Sequence, residues 1–508
     1  MIFFKKLSIK KIGFLLGFIL FIFMLFLPAP EGMAIAAWRV VATTILMATW
    51  WITEAVPAPA TSLIPIILFP LFHIMDSQSI TLSYGNHTVF LFMGGFFLAV
   101  AMEKWSLHRR IALLILKRSG DTPSRLILGF MVATALLSMW ISNTATAAMM
   151  IPIGLTVISQ VMGSENDKLK NDEKTKKEKM NFAKSLMLAI AYTATAGGFI
   201  TLIGTPPNLL MVGILESNFG IKISFGLWMM ISIPISLPLL VSVYFLLTKV
   251  LFPTHDLKLT NGKKLIIEEM EKLGVMTKAE KLILSIGGFM AFCWIFRNLL
   301  IRIPFFSMLT DTTVAIIGAL LLFLCPSFDK DERLLDWDSA IKIPWGVVLL
   351  FGGGFALASG FENTGLMVWV SERFMNLGGI HILFFVFIVV LATNIMTEFV
   401  SNTTLATLFI PIMGITALQL GFHPITAIIA TTIATSFSFM MPMATPPNAI
   451  AFGSGFLDIK DIVSAGALLN IIGQVICVLA IVYLLPVVWR VDLTVVPAVL
   501  NYSTTPPR

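Results

Sequence analysis

The sequence predicts an all-α polytopic membrane protein with two related halves, and three observations predict it. Of the 508 residues, 57% are hydrophobic and only 12% are charged, and the mean hydropathy is +0.91. The hydrophobic residues form continuous stretches long enough to cross a bilayer as helices, whereas barrel strands would alternate apolar and polar residues. Short polar motifs then recur in the same order in the two halves of the chain.

The apolar stretches predict about 11 transmembrane helices. The spans lie at roughly 12–29, 35–52, 56–73, 87–104, 183–215, 224–248, 280–300, 310–327, 344–361, 424–455 and 463–488. The first span follows several lysines and has no obvious small-residue cleavage site, so we interpret it as a retained helix and not as a signal peptide.

Two further apolar stretches, 123–160 and 380–418, are interrupted near their middles by polar clusters. Each is too long for one span, because about 37 residues of straight helix would reach ~55 Å, against a hydrocarbon core of ~30 Å. We therefore predict two re-entrant hairpins, in which a helix enters the membrane halfway, turns at the polar cluster and returns.

Polar motifs define the repeat. The tripeptide Ser-Asn-Thr occurs at 142–144 and again at 401–403, a spacing of 259 residues (401 − 142), and the pairs Gly95/Gly354 and Glu103/Glu362 keep this spacing. Downstream, the run Gly204-Thr205-Pro206-Pro207-Asn208 is matched by Ala444-Thr445-Pro446-Pro447-Asn448. A duplicated membrane chain with polar helix breaks at matching depths predicts a transporter whose site lies where the repeats meet.

The distribution of lysine and arginine predicts the orientation. Clusters of these residues precede the first span, follow the fourth and sixth spans, and separate the first hairpin from the next span. With both hairpins returning to the side they entered, all four clusters fall on one face, which is cytoplasmic by the positive-inside rule. The protein would lie in the inner (plasma) membrane with its N-terminus in the cytoplasm and its C-terminus outside, and the hairpins would enter from opposite sides.

The predicted organisation has five parts. They are a first helix (1–34), a first repeat (35–250, with scaffold helices at 35–118 and the hairpin and broken helix at 121–248), a cytoplasmic linker (251–279), a second repeat (280–490, with scaffold helices at 280–376 and the hairpin and broken helix at 379–488) and an external tail (491–508). We expect residues 163–181 to form a solvated cytoplasmic loop. The amphipathic segments Trp105–Arg118 and Asn363–Phe374 are expected to lie along the membrane surface.

The chemistry of the motifs suits a cation and an anion together. Ser, Asn and Thr side chains both donate and accept hydrogen bonds, and such groups are costly in a membrane unless they are satisfied. Proline breaks a helix and frees carbonyl groups that coordinate Na⁺, while the N-termini of half-helices favour anionic groups. Neither tripeptide region contains a lysine or an arginine. A dianionic substrate would therefore depend on bound Na⁺ for much of its charge compensation, and the anion should bind poorly without the cation.

Other interpretations of these residues are weaker or stay open. A single polar tripeptide is more often structural, because Ser and Thr in membrane helices bond back to their own helix or join helices. Glu103 and Glu362 are interpreted as helix-end residues in preference to a proton relay, whereas Glu398 is equally a buried polar partner or a group close to substrate. No hydrolase, metalloprotease or P-loop motif is present, so we expect no enzyme; a channel is a weaker alternative. The three cysteines and six histidines show no metal-ligand spacing.

The paired Ser-Asn-Thr hairpins and paired Thr-Pro-Pro-Asn breaks resemble the divalent-anion:sodium symporter family, which includes dicarboxylate, citrate and sulfate carriers. The resemblance covers about Trp38 to Trp489, and residues 436–450 are similar to the signature region of the family, with Ala451 in place of a following valine. It implies an elevator-type homodimer with a scaffold domain and a mobile transport domain, and symport driven by two or more sodium ions. We expect no nucleic-acid partner, because the net charge of +7 is concentrated in a few loops and serves orientation.

The resemblance also implies site residues. One sodium site would involve Ser138, Ser142, Asn143 and Gly204, and the other Thr397, Asn402 and Ala444. Substrate carboxylates would be held by Ser142, Asn143, Thr144, Thr205, Pro206, Ser401, Asn402, Thr403, Thr445 and Pro446. The intact tripeptides favour a C4-dicarboxylate such as succinate, malate or fumarate over citrate and sulfate. A sodium-independent dicarboxylate exchanger stays open as the alternative.

Overall fold

The computed structural model describes residues 9–120, 122–162, 173–254, 262–328, 331–374 and 379–496. These residues form helices joined by short connections, and no β-strand occurs among them apart from one isolated bridge between Pro326 and Arg333. The prediction of an all-α protein is confirmed. Seven of the described helical stretches are long and apolar enough to cross a membrane.

The helices of the first half begin with α1 (Ile9–Phe26) and α2 (Ile35–Thr53). They continue with α3 (Ala58–Thr61), α4 (Ile64–Leu71), α5 (Ser77–Tyr84), α6 (His87–Lys104), α7 (Leu107–Arg118), α8 (Pro123–Ser138), α9 (Asn143–Met162), α10 (Glu173–Gly198), α11 (Pro206–Phe219) and α12 (Phe225–Phe245), which runs on as a π-helix over Leu246–Leu251.

The remaining helices start with α13 (Gly262–Lys272) and α14 (Lys278–Ile295). They continue with α15 (Arg297–Leu300), a 3₁₀ turn at Pro304–Phe306, α16 (Asp311–Leu324), α17 (Trp337–Ala340), α18 (Trp345–Asn363), α19 (Leu366–Phe374), α20 (Ile382–Thr397), α21 (Asn402–Gln419), α22 (Pro424–Ala434), α23 (Pro446–Phe452), α24 (Ile459–Leu479), a π-helix at Ala480–Leu484 and α25 (Leu485–Trp489).

Two sequence expectations need correction. The predicted solvated loop at 163–181 is wrong in its second half, because α10 already begins at Glu173 and Lys179 is buried. Lys, Glu and Met are good helix formers, so the charged stretch extends the helix instead of ending it; residues 163–172 lie outside the described residues. The predicted span at 56–73 is divided into α3 and α4, with Pro65 in the first turn of α4 and Pro70 inside it. The number of transmembrane helices stays a prediction.

Both predicted hairpins consist of two helices joined by four residues. Helices α8 and α9 are joined by residues 139–142, and α20 and α21 by residues 398–401. Each tripeptide marks the start of the second arm, since Asn143 is the first residue of α9 and Asn402 the first of α21. The re-entrant placement of these hairpins stays a prediction.

Packing brings the two halves of the chain together at the helix breaks. Helix α10 packs against α8 and α9 and also against α23, while α22 packs against α20 and α21 and also against α11. The first break comprises residues 199–205, between α10 and α11, and the second break comprises residues 435–445, between α22 and α23. Phe199 in the first break and Phe437 in the second have ring centroids 6.2 Å apart. Each hairpin therefore contacts a half-helix from both broken helices, because α9 packs on α23 and α21 packs on α11.

One predicted surface helix carries a buried charge. Helix α7 contains Arg110, whose side chain donates to Glu280 (2.6 Å) and to the carbonyl oxygens of Leu273 (3.1 Å) and Gly274 (2.9 Å). A buried guanidinium is tolerated because these acceptors satisfy its fixed fork of donors. These hydrogen bonds hold the connection between α13 and α14 against α7, the helix that precedes the first hairpin.

Candidate functional site

Four helices begin at the motifs that the sequence singles out. Helices α11 and α23 each start with two prolines, whose missing N–H groups cost nothing in a first helical turn. Thr205 and Thr445 are their extended N-cap residues, and neither side chain caps its own helix. The hydroxyl of Thr445 is buried, and no described residue provides it with a hydrogen-bond partner. Together with the starts of α9 and α21, these are four helix N-termini with positive dipole ends.

An oxygen cluster forms at the tip of the first hairpin. The Ser138 Oγ lies 2.7 Å from Asn143 Oδ1 and 2.6 Å from the carbonyl oxygen of Ala194 on α10. A hydroxyl has one proton, so Ser138 can satisfy only one of these two oxygens at a time. Three oxygens with one proton between them form an electron-rich group beside the end of a helix.

The second hairpin repeats this arrangement with an additional hydroxyl. The Thr397 Oγ1 lies 2.8 Å from Asn402 Oδ1 and 2.8 Å from the carbonyl oxygen of Thr435, which follows α22. Ser438 adds a fourth oxygen, with its Oγ 3.3 Å from Asn402 Oδ1. The two clusters therefore have the same core of a hydroxyl, an amide oxygen and a backbone carbonyl.

Two glycines allow the first cluster to assemble. A Cβ atom built on Gly198 would lie 2.0 Å from Asn143 Oδ1, and one built on Gly204 would lie 2.2 Å from the Gly198 carbonyl oxygen and 2.9 Å from that of Ser138. Any side chain at these positions would collide with the oxygens or their neighbours. The close approach of the helix break to the hairpin tip therefore requires glycine.

Side chains from α12 satisfy the backbone of the first break. Trp228 Nε1 donates to the Phe199 carbonyl (2.9 Å), Ser232 Oγ to that of Ile200 (2.6 Å) and Ser236 Oγ to that of Ala196 (2.7 Å). Non-helical backbone in a buried membrane protein core is tolerated when its polar groups are paired in this way.

Glu398 accepts hydrogen bonds from backbone N–H groups of the second break. Its carboxylate, which is 3% exposed, accepts hydrogen bonds from the backbone N–H groups of Met440 (3.0 Å) and Met441 (2.9 Å) and from Asn470 Nδ2 (2.7 Å). Sequence left the role of Glu398 open, and the structure makes it a buried polar partner that joins the hairpin tip to the break and to α24. The matching residue of the first repeat is Met139 (398 − 259).

We expect Glu398→Gln to lower the free energy of unfolding by about 1–3 kcal/mol. The glutamine NH₂ group would replace one carboxylate oxygen, so at least one of the donors Met440 N–H, Met441 N–H and Asn470 Nδ2 would lose its acceptor. The thermal melting temperature of the purified protein measures this effect. Glu103→Gln is the matched control, because Glu103 is exposed near the end of α6. Equal melting temperatures for both variants would contradict the role assigned to Glu398.

The structure brings together most of the residues assigned to the two sodium sites. Ser138, Asn143 and Gly204 meet at the first hairpin tip, and Thr397 and Asn402 meet at the second. Two assignments are less direct: Ser142 Oγ accepts from the Ala145 N–H (3.3 Å), and the N–H of Ala444 donates to the Met441 carbonyl (3.2 Å). These roles stay predictions.

The residues assigned to substrate differ in exposure. Thr144, Ser401 and Pro446 are exposed; Ser142, Asn143, Pro206, Asn402 and Thr403 are half-buried; Thr205 and Thr445 are buried. Sequence analysis missed the carbonyl groups of Ala194 and Thr435, because a backbone carbonyl leaves no signal in residue type. It also missed Ser438, although this residue lies within the signature-like region 436–450. Glu103 and Glu362 lie at the ends of α6 and α18, as the interpretation as helix-end residues requires.

Comparison with known proteins identifies one family of transporters over nearly the whole chain. Residues 9–490 match the family model described as the sodium:sulfate symporter transmembrane region. The sodium-dependent dicarboxylate transporter SdcS of Staphylococcus saprophyticus is 40% identical over 489 residues, covering 96% of this chain and 93% of the relative. SdcS of Staphylococcus aureus (strain USA300) is 41% identical over 502 residues, with coverage of 97% and 95%. Among solved structures, Neisseria gonorrhoeae MtrF shares the fold with a TM-score of 0.56 at 12% identity, over 89% of this chain and 95% of that chain.

Proposed function

The chain belongs to the sodium:sulfate symporter family, and from this premise we propose that it is a secondary active transporter that carries a small dicarboxylate across the membrane together with Na⁺. The identity with sodium-dependent dicarboxylate transporters over nearly the whole chain supports both the cation and the substrate class. A C4-dicarboxylate such as succinate, malate or fumarate is the proposed cargo.

The observation that carries this proposal is the pair of oxygen clusters at the hairpin tips. Each combines a hydroxyl, an amide oxygen and a backbone carbonyl at the end of a half-helix. Backbone carbonyls at the ends of half-helices coordinate Na⁺ in transporters with broken helices, and the hydroxyl and amide oxygens offer further lone pairs to the same ion. Ser138 and Asn143, with Gly204 beside them, would hold one ion, and Thr397 and Asn402 the other. Ser142 and Ala444 complete the two sets at the same hairpin tip and helix break.

The anion would be held mainly by helix N-termini and hydroxyl groups. The sequence has no lysine or arginine between residues 126 and 162, 185 and 221, or 382 and 452, which contain both hairpin tips and both breaks. Backbone N–H groups and the positive ends of α9, α11, α21 and α23 are suited to carboxylate oxygens. The tripeptide side chains and the Thr-Pro pairs would contact the substrate, and the two bound cations would supply the remaining charge compensation.

The finer architecture is part of the proposal. The matching order of hairpin, broken helix and final helix in the two halves supports a repeat. The cationic clusters of the sequence support a cytoplasmic N-terminus and hairpins that enter from opposite sides, as an inverted repeat requires. Gly95 of α6 approaches Ile203 in the first break, and Gly354 of α18 approaches Thr407 of α21. Small residues at these contacts suit a scaffold that lies close to a moving domain. We therefore include re-entrant hairpins, about 11 transmembrane helices, an elevator motion and a homodimer.

Uptake into proteoliposomes tests the coupling. We expect labelled succinate to accumulate with an inward Na⁺ gradient and not with an inward K⁺ gradient of equal size, because the dianion lacks fixed cationic partners. A third arm uses K⁺ outside and unlabelled succinate inside. Accumulation in that arm without Na⁺ would make the protein an exchanger and remove the support for the cation sites.

Competition identifies the substrate class in the same preparation. Unlabelled malate and fumarate are expected to inhibit labelled succinate uptake more strongly than citrate or sulfate. If succinate uptake is absent in all three arms while labelled citrate or sulfate is carried with Na⁺, symport stands and the assignment to a C4-dicarboxylate is wrong.

A further inference from the structure

The Thr-Pro-Pro-Asn motif ends in an asparagine in both halves, and neither asparagine belongs to the site residues named above. Asn208 and Asn448 are 0% and 1% exposed. Asn208 Nδ2 donates to the carbonyl oxygens of Phe199 (3.1 Å) and Thr201 (2.7 Å). Asn448 Nδ2 donates to those of Ser438 (3.0 Å) and Met441 (3.2 Å). Each amide therefore reaches back from the second half-helix and holds the break that precedes it.

The residues that Asn208 holds lead directly to the first hairpin tip. Thr201 Oγ1 donates to the carbonyl oxygen of Met139 and accepts from the N–H of Gly204 (3.2 Å). Met139 follows Ser138, whose Oγ belongs to the first oxygen cluster, and a Cβ on Gly204 would collide with the Ser138 carbonyl oxygen. A shift of Thr201 would therefore move the break relative to the cluster.

In the second repeat the connection is shorter. Asn448 holds the carbonyl of Ser438, and the hydroxyl of the same Ser438 lies 3.3 Å from Asn402 Oδ1 in the second cluster. The other carbonyl that Asn448 holds belongs to Met441, whose N–H donates to Glu398 at the hairpin tip. Both asparagines thus join a helix break to an oxygen cluster, Asn208 through Thr201 and Met139 and Asn448 through Ser438.

From this geometry we propose that Asn208 and Asn448 are positioning residues for Na⁺ binding, each setting the oxygen cluster of its own repeat. This inference rests on the proposed sodium-coupled transport. The asparagines act through Thr201 and Ser438 and do not themselves contact the ions.

A packing role alone does not explain these residues. The Oδ1 atoms of Asn208 and Asn448 are both buried and have no hydrogen-bond partner among the described residues, and a buried acceptor without a partner is unfavourable. A leucine of similar volume would fill the space without this cost. An asparagine occupies this place in both repeats, so its two hydrogen bonds to the break must contribute more than packing, namely a fixed position of the break backbone.

The test uses Asn208→Leu and Asn448→Leu in the full chain, with Asn181→Leu as the matched control. Asn181 is also an asparagine of the first repeat, and its Nδ2 also donates to a backbone carbonyl, that of Pro253 (3.0 Å), but it lies near the start of α10 and away from the break. Each protein is assayed for labelled succinate uptake over a range of NaCl, with choline chloride keeping the ionic strength constant. The melting temperature of the purified protein is measured with and without NaCl.

We expect the half-saturating Na⁺ concentration to rise about tenfold in each asparagine variant, as expected for the loss of about 1.4 kcal/mol of binding free energy. The melting temperature in choline chloride should fall, because the carbonyl oxygens lose their amide donors. The further stabilisation by NaCl should also become smaller, and this difference between the two salts reports on Na⁺ binding. The control should match the wild type. Thr201→Val provides a milder second variant, because it keeps the side-chain volume and removes only the hydroxyl, and it should raise the half-saturating Na⁺ concentration in the same direction.

Three outcomes would overturn the proposal. A lower melting temperature in choline chloride with an unchanged half-saturating Na⁺ concentration would give the asparagines a structural role only. An unchanged Na⁺ requirement in Thr201→Val would remove the connection through Thr201. If the wild type itself shows no response to Na⁺, sodium coupling fails, and the positioning role falls with it; the wild-type curve alone separates this case from the other two.

Discussion

Gly198→Ala is expected to raise the half-saturating Na⁺ concentration of succinate uptake strongly. Its new methyl group would lie 2.0 Å from Asn143 Oδ1, 2.8 Å from Asn143 Cγ and 2.9 Å from Asn143 Nδ2. The side chain of Asn143 would have to leave its position beside Ser138, and the first oxygen cluster would lose its amide oxygen. Overpacking of a buried site costs about 1–3 kcal/mol, and if this were lost entirely from Na⁺ binding the affinity would fall roughly 5- to 150-fold.

Gly288→Ala is the control for this substitution. Gly288 also lies inside a helix, α14, but a Cβ there meets nothing within 4 Å. Alanine should be tolerated or slightly favourable at this position, since it has the higher helix propensity. Uptake and its Na⁺ dependence are measured for both variants at matched membrane expression. A wild-type Na⁺ curve in Gly198→Ala would show that the first cluster does not bind the cation.

The two repeats differ at this position, which makes the prediction sharper. Counted back from the Thr-Pro-Pro-Asn motif, the residue of the second repeat that matches Gly198 is Ser438 (198 + 240, with 240 from 444 − 204). There the hydroxyl lies 3.3 Å from Asn402 Oδ1 and extends the cluster. A side chain at this position therefore contributes an oxygen to the second cluster but would collide with Asn143 in the first.

Sequence predicted the hairpins and breaks because their causes are local. A polar tripeptide inside a long apolar stretch and a pair of prolines at a helix start are visible in the residues themselves. The structure accordingly starts α9 at Asn143, α11 at Pro206, α21 at Asn402 and α23 at Pro446. Ser138 and Thr397 are also 259 residues apart (397 − 138), and their hydroxyls make matching contacts.

The features that sequence did not predict depend on the rest of the fold. The carbonyl groups of Ala194 and Thr435 enter the clusters only because α10 and α22 end beside the hairpins. Glu398 could not be assigned because its partners, Met440, Met441 and Asn470, are 42 to 72 residues away. The sequence prediction placed α13 inside a linker, because its amphipathic pattern is short. Its packing against α7 and α9 depends on the tertiary fold and leaves no local signal.

Asn143→Ala and Asn402→Ala are each expected to abolish coupled uptake while leaving a folded protein. Each substitution removes the amide oxygen that the two clusters share, and Ser138 or Thr397 then keeps only its backbone carbonyl partner. Uptake should fall to the level of empty liposomes, and the stabilisation of the purified protein by NaCl should weaken. Near-normal uptake in both variants would refute the assignment of these residues to the site.

Asn143→Asp and Asn402→Asp distinguish cation binding from anion binding at the same atoms. An aspartate keeps an oxygen beside the hydroxyl and adds a negative charge, which attracts Na⁺ and repels a dianionic substrate. We therefore expect the half-saturating Na⁺ concentration to stay near the wild-type value or to fall, while the KM for succinate rises. If the asparagines served the carboxylates alone, the aspartate variants would lose succinate binding, and the alanine variants would keep their stabilisation by NaCl. If they served the cation alone, the aspartate variants would keep succinate affinity as well, so the two measurements together show which ions meet at each hairpin tip.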